Sequence, residues 1–152
     1  MNEKTLRKLE FDKIIKKLSV LTTSELGREY AESLVPKNNL YEVEAMLKET
    51  SDAYFLLVGK GNPPLGGIRD IRASLKRADM GTILTPGELL SISDTLRAAR
   101  NLKNYIADTD SDSENIEQNL AVDLIRQLQS NKRIEDKISR SILNEEEIAD
   151  GA

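Results

Sequence analysis

Residues 63–78, PPLGGIRDIRASLKRA, and the helix start Thr85-Pro86-Gly87-Glu88 leave this chain little choice but helices. Two prolines restrict the backbone, Gly66 and Gly67 permit a sharp turn, and apolar residues then recur at helical spacing. At 100° per residue Ile68, Ile71, Leu75 and Ala78 share one arc, and Arg69, Arg72, Lys76 and Arg77 fall roughly opposite. The spacing predicts one short helix, apolar on one side and basic on the other, ending near Asp79 with Gly81 as its C-terminal cap. Thr85 then offers an N-cap oxygen, Pro86 suits the first helical position, and Glu88 stands three residues after the cap. The helix they open reads as long, with Leu89, Ile92, Leu96, Ala99, Leu102 and Ile106 on its buried side and Arg97, Arg100 and Lys103 on another.

Upstream, Leu6, Leu9, Phe11, Ile14, Ile15, Leu18 and Leu21 predict a first helix from about Lys4 to Leu21. Thr22 and Glu25 have the spacing of a capping box, which would open a second helix running to about Leu34 and stopped by Pro36. Asn39 and Glu42 mark a third start, for a helix with Val43, Leu47, Tyr54, Leu57 and Val58 along its stripe and an end at Gly59 or Gly61. Downstream, Asp108–Asn115 reads as a solvated acidic linker. Two further helices follow, one through Leu120, Leu124 and Leu128 and one through Ile134, Ile138 and Ile142. Strand alternation of useful length and fixed-period repeats are both absent from the pattern, so the expected fold is all-α, of about six to seven helices. Its expected organisation is a helical core segment over 1–107, the linker over 108–115 and a helical segment over 116–152. The closing NEEEIADGA reads as a chain cut in mid-design.

Composition narrows the chemistry. With no Cys and no His among 152 residues, thiol chemistry, disulfides, imidazole acid–base work and nearly all zinc sites are excluded. Aromatic residues are 4%, too few for a platform that stacks single-stranded bases. The N-terminal MNEKTLRKLEFD lacks the apolar core of a signal peptide and no apolar run reaches membrane length, so the expected location is the cytoplasm. The net charge of −4 is uneven. Residues 68–107 carry seven Lys and Arg against four Asp and Glu, and residues 108–152 carry five against twelve. That distribution fits a local basic patch, and does not fit a nucleic-acid-binding surface over the whole molecule.

Three motifs invite chemistry and fall short of it. A P-loop would need Gly where Tyr54 stands and a hydroxyl residue where Gly61 stands, and a Gly-x-Gly-x-x-Gly run from Gly59 meets Pro64 at its third glycine. Asp108, Asp110 and Asp112 begin like a calcium loop, but its sixth and twelfth positions are Ser113 and Asn119. The carboxylates of Glu145–Glu147 stand in charge-rich surroundings, where nothing would split their pKa values into acid and base. No catalytic, cofactor-binding or metal-ligating residue is assigned. The candidate functional surface is the basic stripe Arg69, Arg72, Lys76 and Arg77, with Arg97, Arg100 and Lys103 nearby. Its cations could meet successive phosphates of a nucleic acid, or they could pair with Glu42, Glu49, Asp70 and Asp94 across helix contacts.

The segment from Pro63 to Ile106, together with MNEKTLRKLEFDKI at the start, resembles the N-terminal region of the MutS family, in the second bacterial paralogue branch that lacks mismatch-reading domains. A family pattern of Ser or Thr, two residues, Gly and a helix ending Leu-x-Pro is matched by Ser24, Gly27, Leu34 and Pro36, with a slightly shorter interval before the proline. An Asp-hydrophobic-Arg helix followed by a Pro-started helix is matched by Asp70, Ile71, Arg72, Pro86, Glu88 and Leu89. SILNEEEIADGA is similar to the point where such proteins turn into lever arms and clamp. The resemblance implies a core, or lever, domain within a longer parent protein. That parent would carry an ABC-type ATPase using ATP and magnesium, would form a homodimer, and would often bear a Smr-type endonuclease domain. Its implied targets are branched or mismatched DNA, in mismatch repair or suppression of recombination, or collided ribosomes and their rRNA. Of this machinery none falls on residues 1–152, so the resemblance makes the chain a connecting part, neither an enzyme by itself nor bound to a membrane. The alternatives are an autonomous nucleic-acid-binding module using the basic stripe and a protein–protein adaptor using bare apolar faces.

Overall fold

The computed structural model describes residues 3–107, 118–145 and 149. Among these the protein is all-helical, with eight helices and no strand: α1 (Glu3–Lys8), α2 (Phe11–Val20), α3 (Glu25–Glu32), α4 (Leu40–Lys60), α5 (Arg72–Asp79), α6 (Pro86–Ala107), α7 (Leu120–Gln127) and α8 (Lys132–Ser141). The expected acidic linker lies outside the described residues. The chain divides into two compact units, Met1–Met46 and Leu47–Ala152, with the boundary inside α4.

In the first unit the predicted single N-terminal helix is two. Glu10 adopts φ 53°, a left-handed conformation, between α1 and α2. Leu9 and Phe11 are two residues apart where one continuous stripe needs three or four, and the break resets the helical phase. The Glu10 carbonyl accepts from the Lys13 amide at 3.0 Å, and its carboxylate holds the Lys13 ammonium at 2.5 Å. The next helix is capped two residues later than its predicted box. Ser24, extended at φ −138°, accepts from the Gly27 amide at 3.1 Å, and Thr22 turns back to donate to the Ser19 carbonyl at 2.7 Å. A Cβ on residue 27 would lie 3.2 Å from the Ser24 hydroxyl, so the absent side chain makes room for the cap. α2 packs on α3 and on α1, burying only the small side chains Ser19 and Ala31.

α4 begins where Asn39 predicts, its Oδ1 accepting from the Tyr41 and Glu42 amides at 2.9 and 3.3 Å. It ends at Lys60, with Gly61 in the left-handed region at φ 78°.

In the second unit α6 is the central element, packed on α8 and α7. Leu56 of α4, Ile106 of α6 and Val122 of α7 form a core cluster, with Tyr105, Ala121 and Ile125 against it. Ala98, Leu102, Ile138 and Ile142 are buried as well. The predicted stripes of the last two helices need correction. Leu124 is 61% exposed and Val122 is the buried residue of α7, while Ile134 is largely exposed and Glu135 is buried in its stead.

Candidate functional site

The basic stripe does not lie along one helix. α5 starts at Arg72, so Ile68, Arg69 and Ile71 precede it. Two contacts hold this non-helical segment. The Thr95 hydroxyl of α6 accepts from the Arg69 amide at 3.1 Å, and the Asp70 carboxylate accepts from the Arg72 amide at 3.1 Å. Gly67, at φ 87°, lies where a Cβ would come 3.4 Å from the Asp94 carbonyl. The far end of α5 closes as predicted: Gly81, at φ 76°, donates to the Ala78 carbonyl and Thr82 to the Arg77 carbonyl, the paired bonds of a Schellman cap.

Of the four stripe residues, two are engaged by neighbouring carboxylates. Arg72 grips Asp70 through Nε, at 2.9 and 3.1 Å, and Nη2, at 2.6 Å. These bonds hold the Asp70 carboxyl well below its ordinary range, at about 2. Arg77 pairs with Glu88, leaving its buried Nε without a partner among the described residues. Glu88 also closes the predicted capping box, accepting from the Thr85 amide at 2.9 Å and its hydroxyl at 3.0 Å while its own amide donates to Thr85 Oγ1 at 3.4 Å. Ser74 of α5 adds a bond at 2.9 Å. The Thr85 amide is the largest cause, ahead of the Ser74 and Thr85 hydroxyls and Arg77, that brings the Glu88 carboxyl down to about 2. Arg69 and Lys76 have exposed side chains with no ion pair among the described residues.

The neighbouring cations converge elsewhere. Glu135 of α8 is 4% exposed, yet its carboxylate receives Arg100 Nε at 3.0 Å and Nη2 at 2.9 Å, with Arg97 Nε at 3.4 Å and Lys132 Nζ at 3.8 Å. The Arg100 bonds, ahead of the remaining cations, lower the Glu135 pKa against the opposing effect of burial, and Glu135 in turn raises that of Arg100. Beside them Ser93 Oγ lies 3.2 Å from Ser139 Oγ. Lys103 donates to the Leu128 carbonyl at 3.0 Å and the Arg126 carbonyl at 3.4 Å, closing the C-terminal end of α7.

The two motif near-misses acquire structural roles. Lys60, beside the glycine-rich loop, donates to the Tyr105 carbonyl at 2.7 Å with its ammonium 5.5 Å from the ring centre. The Tyr105 hydroxyl donates to the Leu56 and Gly61 carbonyls at 3.2 and 2.9 Å, and burial pushes its pKa up. Asn119 is the N-cap of α7, accepting from the Val122 amide at 3.0 Å and donating to the Asp52 carbonyl at 2.9 Å. Asp52 takes Lys48 at 2.7 Å and the Leu120 amide at 2.8 Å, and its pKa falls, the Lys48 bond leading. Asp108, Asp110, Asp112, Ser113, Glu146 and Glu147 lie outside the described residues. Among those described, no group of three or more Asp or Glu could hold a metal ion, and no helix is long and apolar enough to cross a membrane.

Glu135 went unnoticed by sequence reasoning, although a signal exists: it precedes Ile138 and Ile142 by three and seven residues, on the apolar face. Ser93 and Tyr105 carried no comparable mark, because their partners lie over forty residues away.

A buried glutamate held by arginines of the neighbouring helix, and polar side chains that close helix ends, define the second unit as a helical scaffold. No protein-family model matches the chain. It is 57% identical over all 152 residues to a protein of Acetivibrio thermocellus named Endonuclease MutS2. Proteins of the same name from Ruminiclostridium cellulolyticum and Clostridioides difficile are 55% and 44% identical, again over the whole chain. The chain belongs to the MutS family, in its MutS2 branch, and corresponds to the N-terminal region of those proteins. It spans 19% of the length of each of these relatives.

Proposed function

We propose that this chain is a connecting part of a MutS-like protein, carrying movement between an ATPase and a clamp that grips DNA or a ribosome. The observation that supports it is the match over the whole chain to relatives about five times longer, joined to a scaffold in which the buried Glu135 ties α8 to Arg100 of α6. Helices locked in this way can pass on displacement without doing chemistry themselves. The whole protein would use ATP and magnesium, act as a homodimer and carry any nuclease activity outside these residues. Its target would be branched DNA during recombination or repair, or a collided ribosome.

The test uses the full-length protein and the chain alone. Leu102→Ala loosens α6 at a buried site. In the full-length protein it is expected to leave basal ATP hydrolysis in place while reducing its stimulation by branched DNA or ribosomes. The chain alone is expected to hydrolyse no ATP. Hydrolysis by the chain alone, or undiminished stimulation in a folded Leu102→Ala protein, removes the reading.

A second reading rests on Arg69 and Lys76, the two stripe cations without a described ion pair: a small phosphate-binding contact on the surface of the scaffold. Arg69→Glu with Lys76→Glu is then expected to weaken nucleic-acid binding by the chain and to flatten its salt dependence. Binding that is absent in the parent sequence, or unchanged in the variant, eliminates it.

A further inference from the structure

α7 does not supply the whole of its own start. It runs over eight residues, Leu120–Gln127, and helices shorter than about 12–15 residues are marginal in water. Its local aids are the Asn119 cap on the Val122 amide and an exposed Asp123–Arg126 pair at 3.4 Å, a weak contribution. α4 completes the rest. The Asp52 carboxylate accepts from the Leu120 amide at 2.8 Å, at the first helical position, which the N-cap side chain leaves open. An anion there also faces the positive end of the helix dipole. The Asp52 carbonyl accepts from the Asn119 side-chain amide at 2.9 Å. Asn119 is 1% exposed, so withdrawing Asp52 would leave a buried amide unpaired. Lys48, one turn earlier on α4, binds the same carboxylate at 2.7 Å and reaches the Gln118 carbonyl at 3.0 Å.

The other end of α7 is held from α6, by Lys103 on the Arg126 and Leu128 carbonyls. Between the two ends Val122 enters the core with Leu56 and Ile106, and Leu124 faces outward. We infer that α7 is a conditional helix: Asp52 and Asn119 form a clasp that keeps it ordered only while α4 is seated against its first turn. Hydrogen bonds are lost over about 1 Å of displacement, whereas apolar contact is non-directional and tolerates sliding. A small shift of α4 therefore opens the bonds to residues 118, 119 and 120 together and leaves α7 with its local aids alone. α6 and α8 keep their places, because Glu135 with Arg100 and the Ser93–Ser139 contact join them directly. The clasp makes the order of α7 a readout of the position of α4, an order-to-disorder device confined to one helix.

Asp52→Ala separates the clasp from ordinary helix stability, because alanine is the best helix former and α4 itself is not weakened by it. Amide hydrogen exchange is followed residue by residue by NMR at fixed pH and temperature. In Asp52→Ala the amides of residues 123–127 are expected to exchange at least about tenfold faster, while those in the middle of α6 and α8 change by less than about twofold. Glu49→Ala removes an exposed carboxylate from the same helix and is expected to leave α7 as it was. Asp52→Asn, close in shape but uncharged, gives the reading if the alanine variant fails to fold, with an increase of at least about threefold in the same amides. A folded Asp52 variant in which α7 keeps its original protection, or loses it in step with α6 and α8, overturns the inference. So does a Glu49→Ala chain that loses α7 protection to the same extent.

Discussion

Glu88 closes the capping box of α6 and receives Ser74 and Arg77 from α5, so one carboxylate both starts a helix and fastens its neighbour. Its folded pKa of about 2 lies below the ordinary 4.5, and that of Asp70, also about 2, lies below 3.8. A carboxyl with a depressed folded pKa contributes stability that is complete above its unfolded value and is lost as pH falls through its folded value. The melting temperature of the chain is therefore expected to decline as pH drops from about 4.5 to about 2. Glu88→Gln is expected to melt lower than the parent at neutral pH, with a shallower decline across the acid window. Thermal melts at stepped pH check this, and parallel curves would assign the acid sensitivity to other groups. Thr85→Ala removes the opposite half of the box and is expected to cost about 1 kcal/mol, read from denaturant unfolding.

Among the helices, the value of a leucine depends on where the phase of its helix points it. Leu102 is 6% exposed and Leu124 is 61% exposed. Leu102→Ala is expected to destabilise the chain by about 2–5 kcal/mol, whereas Leu124→Ala stays within about 0.5 kcal/mol in the same urea titration. Equal losses would mean that the α7 stripe faces the other way. Gly81→Ala forces a Cβ onto a φ of 76° and is expected to cost about 1 kcal/mol, with Asn losing less because its side chain tolerates the left-handed region. These helix ends were legible because each is written in adjacent residues: Thr85 with Glu88, Asn39 with the amides after it, Gly81 after Asp79. The failures share a different cause. Thr22–Glu25 and Ser24–Gly27 compete for one helix start two residues apart, and local pattern does not rank them. The non-helical path of residues 68–71 depends on Thr95, twenty-six residues on from Arg69. The basic stripe, sound as a wheel projection, dissolves because Arg69 precedes the helix and Arg72 and Arg77 already hold carboxylates.

The whole molecule distributes its buried side chains unevenly between its two units. Among the described residues the first unit buries only Ser19 and Ala31, both small, on helices of six, ten and eight residues. Helices this short are marginal without packing, and little apolar area is removed from water there. Val20, Leu21 and Tyr30, each more than 60% exposed, add surface without adding core. The second unit buries Leu56, Ala98, Leu102, Ile106, Val122, Ile138 and Ile142, and ties its helices with Glu135, Asn119 and Tyr105. Local opening free energies follow such differences in contact and burial. In hydrogen exchange of the chain by itself, amides in the middle of α2 and α3 are expected to exchange at least about tenfold faster than those in the middle of α6, a gap of about 1.4 kcal/mol. Limited proteolysis should cut first within the first unit for the same reason. Uniform protection along the chain would mean that the two units open together, and that the stability of the first is drawn from the second. The expected gradient would make the first unit the part whose exposed apolar residues depend most on being covered in a longer protein.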